Sequence, residues 1–290
     1  MSRSSNDVDQ MAAALRLYAN HSDSHAQKNL RAGTRLDKYR LLKRLGSGGF
    51  ATVYSAMDEL EHRRVALKIP SDTFTGNVAS QADLTREIRI MARLEHPNIL
   101  RLKDARVIDG KLVMVFPLGE ETLADRLTKR ISRPQAIDFT TQMIEAVAYA
   151  HEHHVLHRDI KPENFILFAH NHLCLTDFGI ARFGDSLHSQ SGSGTLGYVA
   201  PEQAMGKATY RSDVFSLGLV LYRMFSGSLP EYPFTPPLPG YTKLRKGLTA
   251  PFVELIRKCI DPQPTRRFRD GVALHNAFKQ IRTTTNLRVR

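Results

Sequence analysis

The chain has 290 residues, 42% hydrophobic and 24% charged, which is enough apolar material for a sizeable core and too much for a disordered polymer. Lysine and arginine number 41 against 29 acidic residues, and the formal charge of +12 favours anionic partners such as nucleotide phosphates or acidic proteins. Cys174 and Cys259 are too few for a disulfide framework and fit a reducing, cytoplasmic setting; no run of about 20 apolar residues suggests a membrane span, and the first 21 residues lack a secretion-signal pattern.

Residues 1–36 are polar and rich in serine and asparagine, which predicts a flexible arm with one short helix around 9–18. From 39 to 70, apolar and β-branched residues alternate between turn residues, as antiparallel strands require. Within that stretch "LGSGGFATVY" sets Gly46, Gly48 and Gly49 around Ser47 and ahead of Phe50, between two strand-like runs. Glycines allow backbone N–H groups to approach a polyphosphate closely, although many such turns are only tight hairpins. It is not a Walker A loop, because no Gly-Lys-Ser/Thr precedes a helix. Lys68 follows in "VALKI", and an ammonium on such an apolar strand needs an anionic partner.

Ser80 and Asp83 resemble a capping box, with Leu84, Ile88 and Met91 on one helical face and Glu87 beside them as the candidate partner of Lys68. "HPN" at 96–98 stops that helix, and 105–116 reads as a hairpin turning at Asp109-Gly110. From about 122 the pattern turns mainly helical, with Ile137, Ile144, Val147 and Ala148 on a buried stripe; His151, His153 and His154 read as a solvated helix end. Strands first and helices afterwards predict an α+β chain: arm 1–36, a small β-rich lobe 37–116 with one key helix, a larger helical lobe 117–281, and a basic tail 282–290.

Three further stretches carry chemistry: "HRDIKPEN" at 157–164, "DFG" at 177–179 and "APE" at 200–202. With the glycine loop, Lys68 and Glu87 before them in this order, they resemble the eukaryotic-type protein kinase domain, in the style of its compact bacterial members, over about 39–281. The resemblance implies a bilobal fold and transfer of the γ-phosphoryl group of ATP, with Mg²⁺ or Mn²⁺, to a protein substrate. Asp159 would orient the acceptor hydroxyl, Lys161 would sit near the γ-phosphate, and Asn164 and Asp177 would hold the metal. Gly46 to Phe50 and Val53 would cover the phosphates, with Lys68 held by Glu87. Ala66, Val53 and Ile166 would wall the base, Met114 would stand behind it, and Val115 would offer a carbonyl. Pro117 falls where many relatives donate a backbone N–H to adenine, and proline has none. The third loop glycine is replaced by Ala51.

Lys161 and Thr195 resemble the serine/threonine branch, and "SGSGTLGYVAPE" resembles a peptide-docking segment that small-molecule kinases generally lack. Arg158 implies a clamp for phosphate on Ser191 or Ser193. Asp213 would brace the catalytic loop and Arg267 would pair with Glu202. Glu121 and Glu163 match positions that relatives preferring basic peptides use to hold arginine, but Arg223 falls where such relatives often carry another acid, and the net charge points toward acidic partners, so both directions stay open. A catalytically dead scaffold is disfavoured because every expected catalytic residue is present. Specific nucleic-acid binding lacks an aromatic-basic motif.

Overall fold

The computed structural model describes residues 30–48, 51–71, 78–178 and 196–284. They fall into two compact units: the first holds the described residues up to Glu95 together with Leu100–Leu118, and the second holds His96–Ile99, Gly119 to Phe178 and the described residues from 196 onward. The predicted helix at 9–18 lies outside the described residues.

The first unit is a six-stranded sheet built from β1 (Arg35–Leu36), β2 (Tyr39–Ser47), β3 (Ala51–Asp58), β4 (Arg63–Pro70), β5 (Asp104–Ile108) and β6 (Lys111–Pro117), with α1 (Val78–Arg93). The strand order is β1-β2-β3-β4-β6-β5 and every neighbouring pair is antiparallel. The two-residue period sends Val65, Leu67 and Ile69 of β4 into a core shared with Tyr39, Leu41, Tyr54, Val113 and Val115. The β5–β6 hairpin turns at Asp109 (φ 48°) and Gly110 (φ 73°), the left-handed pair that matches strand twist. Helix α1 begins two residues ahead of the predicted cap at Ser80, and it buries Leu84, Ile88 and Met91 as their spacing requires.

The second unit packs helices around a small sheet. Its strands are β7 (Glu121–Thr122), β8 (Phe165–Phe168) and β9 (His172–Leu175), in the order β7-β8-β9. Its helices are α2 (Leu123–Arg126), α3 (Arg133–Glu152), α4 (Pro201–Ala204), α5 (Tyr210–Ser226), α6 (Tyr241–Gly247), α7 (Ala250–Cys259) and α8 (Gly271–Thr284). Helix α5 is buried almost all round between Ser212 and Tyr222, which marks it as the central element. Thr209 and Ser212 form its capping box, and Gly227 closes it in the left-handed conformation (φ 78°). No helix among the described residues is long and apolar enough to cross a membrane.

Gly218 sets how closely α5 approaches the end of α7. A Cβ there would lie 2.5 Å from Cys259 Cβ and 2.8 Å from Ile260 Cγ2, well inside contact distance. Gly218→Ala is therefore expected to destabilise the fold by about 1–3 kcal/mol through overpacking, despite the better helix propensity of alanine. Chemical denaturation checks this, and an unchanged midpoint would mean that α7 shifts without cost.

Candidate active site

In the first unit the predicted nucleotide residues line up across the sheet. Gly46 stands opposite Val53, Val53 opposite Lys68, and Lys68 opposite Met114, on four adjacent strand positions. Ala66, two residues from Lys68, shares its face, away from the core that takes Val65 and Leu67. The loop is closed by Gly48 N–H donating to the Ala51 carbonyl at 2.9 Å, and Ser47 and Thr52 hydroxyls lie 3.2 Å apart. Gly49, Phe50 and the side chain of Glu87 lie outside the described residues.

Val115 falls on the core-facing side, and its carbonyl already accepts the Lys103 N–H at 2.8 Å. Pro117 ends β6 opposite Val65. At this end of β6 the Val115 carbonyl is thus engaged and Pro117 has no N–H to donate.

In the second unit, 157–164 is fastened from three sides. The Asp213 carboxylate, on the first turn of α5, accepts the backbone N–H of His157 at 2.7 Å and of Arg158 at 2.8 Å. His157 is buried; its Nδ1 accepts the Asp159 N–H at 3.2 Å, so Nε2 carries the proton toward the Thr176 carbonyl at 2.9 Å. Burial lowers the His157 pKa and keeps the ring neutral, against the pull of the nearby Asp213, Asp159 and Asp177 carboxylates. Gln203 Nε2 donates to the Arg158 carbonyl at 2.6 Å, which ties the segment after "AP" to the loop. Arg158 (φ 67°) and Asp177 (φ 58°) both adopt left-handed backbone, a conformation that non-glycine residues hold only where surrounding contacts enforce it.

These clamps leave a compact polar cluster. Asp159 Oδ2 accepts from Lys161 Nζ at 3.0 Å and from Asn164 Nδ2 at 3.0 Å, and the same amide nitrogen reaches the Asp159 carbonyl at 2.7 Å. Thr176 N–H donates to the Asn164 carbonyl at 2.9 Å, so the residue before Asp177 is joined directly to the loop. Ile166 follows on β8, paired with Thr122 and Cys174. Ser191, Ser193 and Thr195 lie outside the described residues.

Arg267 is buried and ion-paired with Glu202 through two bonds, Nη1–Oε1 at 2.7 Å and Nη2–Oε2 at 3.0 Å. Its remaining N–H groups meet the carbonyls of Asp261, Arg211 and Pro262, and its guanidinium lies 4.4 Å from the Phe215 ring centre. All five donors are thus used, which is what a buried guanidinium requires.

Other contacts escaped sequence reasoning. His151 is buried rather than solvated: Nε2 lies 3.0 Å from Asp213, and Nδ1 accepts the Gly271 N–H at 2.8 Å. Glu121 is paired with Lys129 at 2.6 Å, and Arg223 donates to the Tyr198 hydroxyl at 2.7 Å. Nothing local in the sequence announces these pairs, since partners stand 62, 120, 8 and 25 positions apart.

The family model described as "Protein kinase domain" matches residues 39–278. The serine/threonine-protein kinase PknD of Mycobacterium tuberculosis is 33% identical over 281 residues, covering 88% of this chain and 42% of its own length. PknE of the same species is 37% identical over 207 residues, covering 69% of this chain and 37% of its own. The chain therefore spans less than half the length of these relatives. Among solved structures, the Mycobacterium tuberculosis PknI kinase domain is 26% identical with a TM-score of 0.66, over 87% of this chain and 99% of that one.

Proposed function

We propose, from the premise that the chain belongs to the protein kinase domain family, that it is a serine/threonine protein kinase that transfers the γ-phosphoryl group of ATP to hydroxyls of protein substrates. The observation that carries this reading is the Asp159 carboxylate, held by Lys161 and Asn164 in a loop whose backbone is clamped by a buried acid. An acceptor hydroxyl needs a carboxylate to orient it and take its proton, and a rigid loop keeps that carboxylate in line. Lys161 neutralises charge at the same point. In this reading Lys68 would hold the other phosphates of the nucleotide beneath the glycine loop, with Glu87 as its expected partner.

Asn164 and Asp177 fit a hard divalent cation. The Asn164 amide nitrogen is spent on Asp159, which leaves Oδ1 without a hydrogen bond among the described residues, and Asp177 follows directly on the tethered Thr176. An oxygen pair of this kind suits Mg²⁺, which takes one or two protein oxygens and completes its shell with phosphates and water. When bound, the ion would neutralise charge on the phosphate oxygens. Mn²⁺ would fit the same donors. A cytoplasmic setting and control by phosphate on Ser191, Ser193 or Thr195 facing Arg158 belong to the same proposal.

The test is transfer of labelled γ-phosphate from ATP, with magnesium, to protein serine or threonine by the purified chain. A folded chain that binds nucleotide and transfers nothing would instead be a scaffold.

The base contact is expected to be unusual. Pro117 supplies no N–H, and the Val115 carbonyl is already engaged in the sheet, so apolar walls carry most of the recognition. Pro117→Ala restores a donor worth about 0.5–1.5 kcal/mol, and the KM for ATP is expected to fall by roughly 2- to 10-fold while that for GTP changes less. Steady-state kinetics with both nucleotides check this; equal effects on the two would show that the position does not read the base.

A further inference from the structure

A cavity of about 410 Å³ opens within the first unit, on the side of β4 and β6 that carries Val65 and Val115. Ala66 and Lys68 point to the opposite face, so this space is separate from the strand positions assigned to the nucleotide. Its volume falls within the range of small-molecule sites, about 300–1,000 Å³. Three segments distant in sequence supply the walls: the β1–β2 turn at Lys38, the β3–β4 connection from Asp58 to Arg63, and the chain entering β5 from Arg101 to Arg106.

Five cations line the cavity, Lys38, Arg63, Arg101, Lys103 and Arg106, against three acids, Asp58, Glu61 and Asp104. Each acid is already engaged. Asp58 is buried and takes Lys38 Nζ at 2.8 Å together with the backbone N–H groups of Leu60 and Glu61, both at 3.1 Å. Glu61 pairs with Arg63, and Asp104 accepts from Arg106 Nε at 2.7 Å. Asp37, which Arg106 also reaches at 3.2 Å, is exposed and stands outside the walls. Three acids do not offset five cations, and the walls keep an excess of two positive charges. Lys103 is half-buried; burial and the Arg63 charge lower its pKa, and Glu61 and Asp58 do not make up the difference. Arg101 is exposed and makes no ion pair among the described residues. A concave surface of one net sign concentrates its field on the interior, and an anion entering there would relieve the repulsion between Arg63 and Lys103.

We propose that this cavity binds the phosphate group of a small phosphorylated molecule, with Lys103 and Arg101 as its principal contacts. A phosphate monoester carries about −1.5 to −2 charges at neutral pH, which matches the excess on the walls, and a guanidinium fork suits phosphate oxygens in pairs. Inorganic phosphate is the probe. The full chain is titrated with sodium phosphate at neutral pH, with sodium chloride holding the ionic strength constant, and the thermal midpoint is followed, because a ligand of the folded state raises it in a saturable way. The wild type is expected to show that rise. Lys103→Met should weaken the apparent affinity by about tenfold and Arg101→Gln by about threefold, as the loss of a charge-assisted hydrogen bond would give. Lys68→Met, which removes the cation expected to meet the nucleotide phosphates, should leave the rise unchanged.

A rise no greater than that in sodium chloride alone overturns the proposal, as does an apparent affinity unmoved in both Lys103→Met and Arg101→Gln. A rise abolished by Lys68→Met also overturns it, because the anion would then sit under the glycine loop. Should Lys103→Met fail to fold, Arg101→Gln, an exposed substitution, decides alone. No phosphoryl transfer enters the measurement, so loss of the kinase reading and loss of this site are read separately.

Discussion

Asp159→Asn is expected to reduce phosphoryl transfer by about 10²- to 10⁴-fold while leaving the fold intact. An amide in place of the carboxylate still offers an oxygen to Lys161 Nζ and Asn164 Nδ2, which lie 3.0 Å from Oδ2 in the wild type. The local hydrogen bonds therefore have a substitute, but the proton acceptor proposed above does not. The variant should melt close to wild type and retain its affinity for nucleotide. The loss should appear in kcat, since the orienting contact matters only as the hydroxyl attacks. A variant that turns over within threefold of wild type would show that another group takes the proton, and the assignment of Asp159 would have to be given up.

Asp213→Ala is expected to cost about 3–5 kcal/mol of stability. Its carboxylate is enclosed and accepts three donors: two backbone N–H groups at 2.7 and 2.8 Å and His151 Nε2 at 3.0 Å. Removing it leaves all three in an interior where nothing replaces it, and each unsatisfied donor is penalised. Asp213→Asn keeps one oxygen and should cost less, about 1–3 kcal/mol. Urea denaturation ranks the two, and losses below 1 kcal/mol in both would mean that the loop holds itself. The same carboxylate makes a pH prediction. Burial alone would raise its pKa, but the His151 donor, the neighbouring histidines and the His157 N–H outweigh it and hold the group below its ordinary value. A lowered folded-state pKa contributes stability that is present above the unfolded value of about 3.9 and is lost as pH falls through the folded one. Stability contributed by Asp213 should thus persist at pH 5 and disappear in stronger acid. The difference between wild type and Asp213→Ala should narrow over that same interval.

The parts of the site that could be read from sequence are those whose chemistry is packed into a short stretch. Asp159, Lys161 and Asn164 lie within six residues, and their mutual contacts follow from a tight loop closed by Asn164. The alternation in "RRVALKI" likewise implied that Lys68 and Ala66 share a face opposite Val65 and Leu67. Distance in the chain is what hid the rest. The role of His151 depends on α8 bringing Gly271 to one ring nitrogen and α5 bringing Asp213 to the other, and no periodicity encodes that meeting. The small sheet β7-β8-β9 was equally hard to see, because two-residue and four-residue strands leave almost no alternation to detect. Charge compensation is a third such case: Glu121 looks like a free acid until Lys129 is found upon it.

Residues His96–Ile99 interrupt the first unit in sequence yet belong to the second. The Asn98 side-chain amide donates to the Gln142 side chain at 2.8 Å and to the Leu173 carbonyl at 2.9 Å, while the Asn98 carbonyl accepts the Leu175 N–H at 2.8 Å. A recombinant fragment ending at Leu118 would carry that four-residue strip away from every one of these partners, and the complementary fragment would begin with an empty seam along β9. Dissecting the polypeptide into separately expressed halves should therefore yield poorly soluble products, and co-expression of both pieces should recover them.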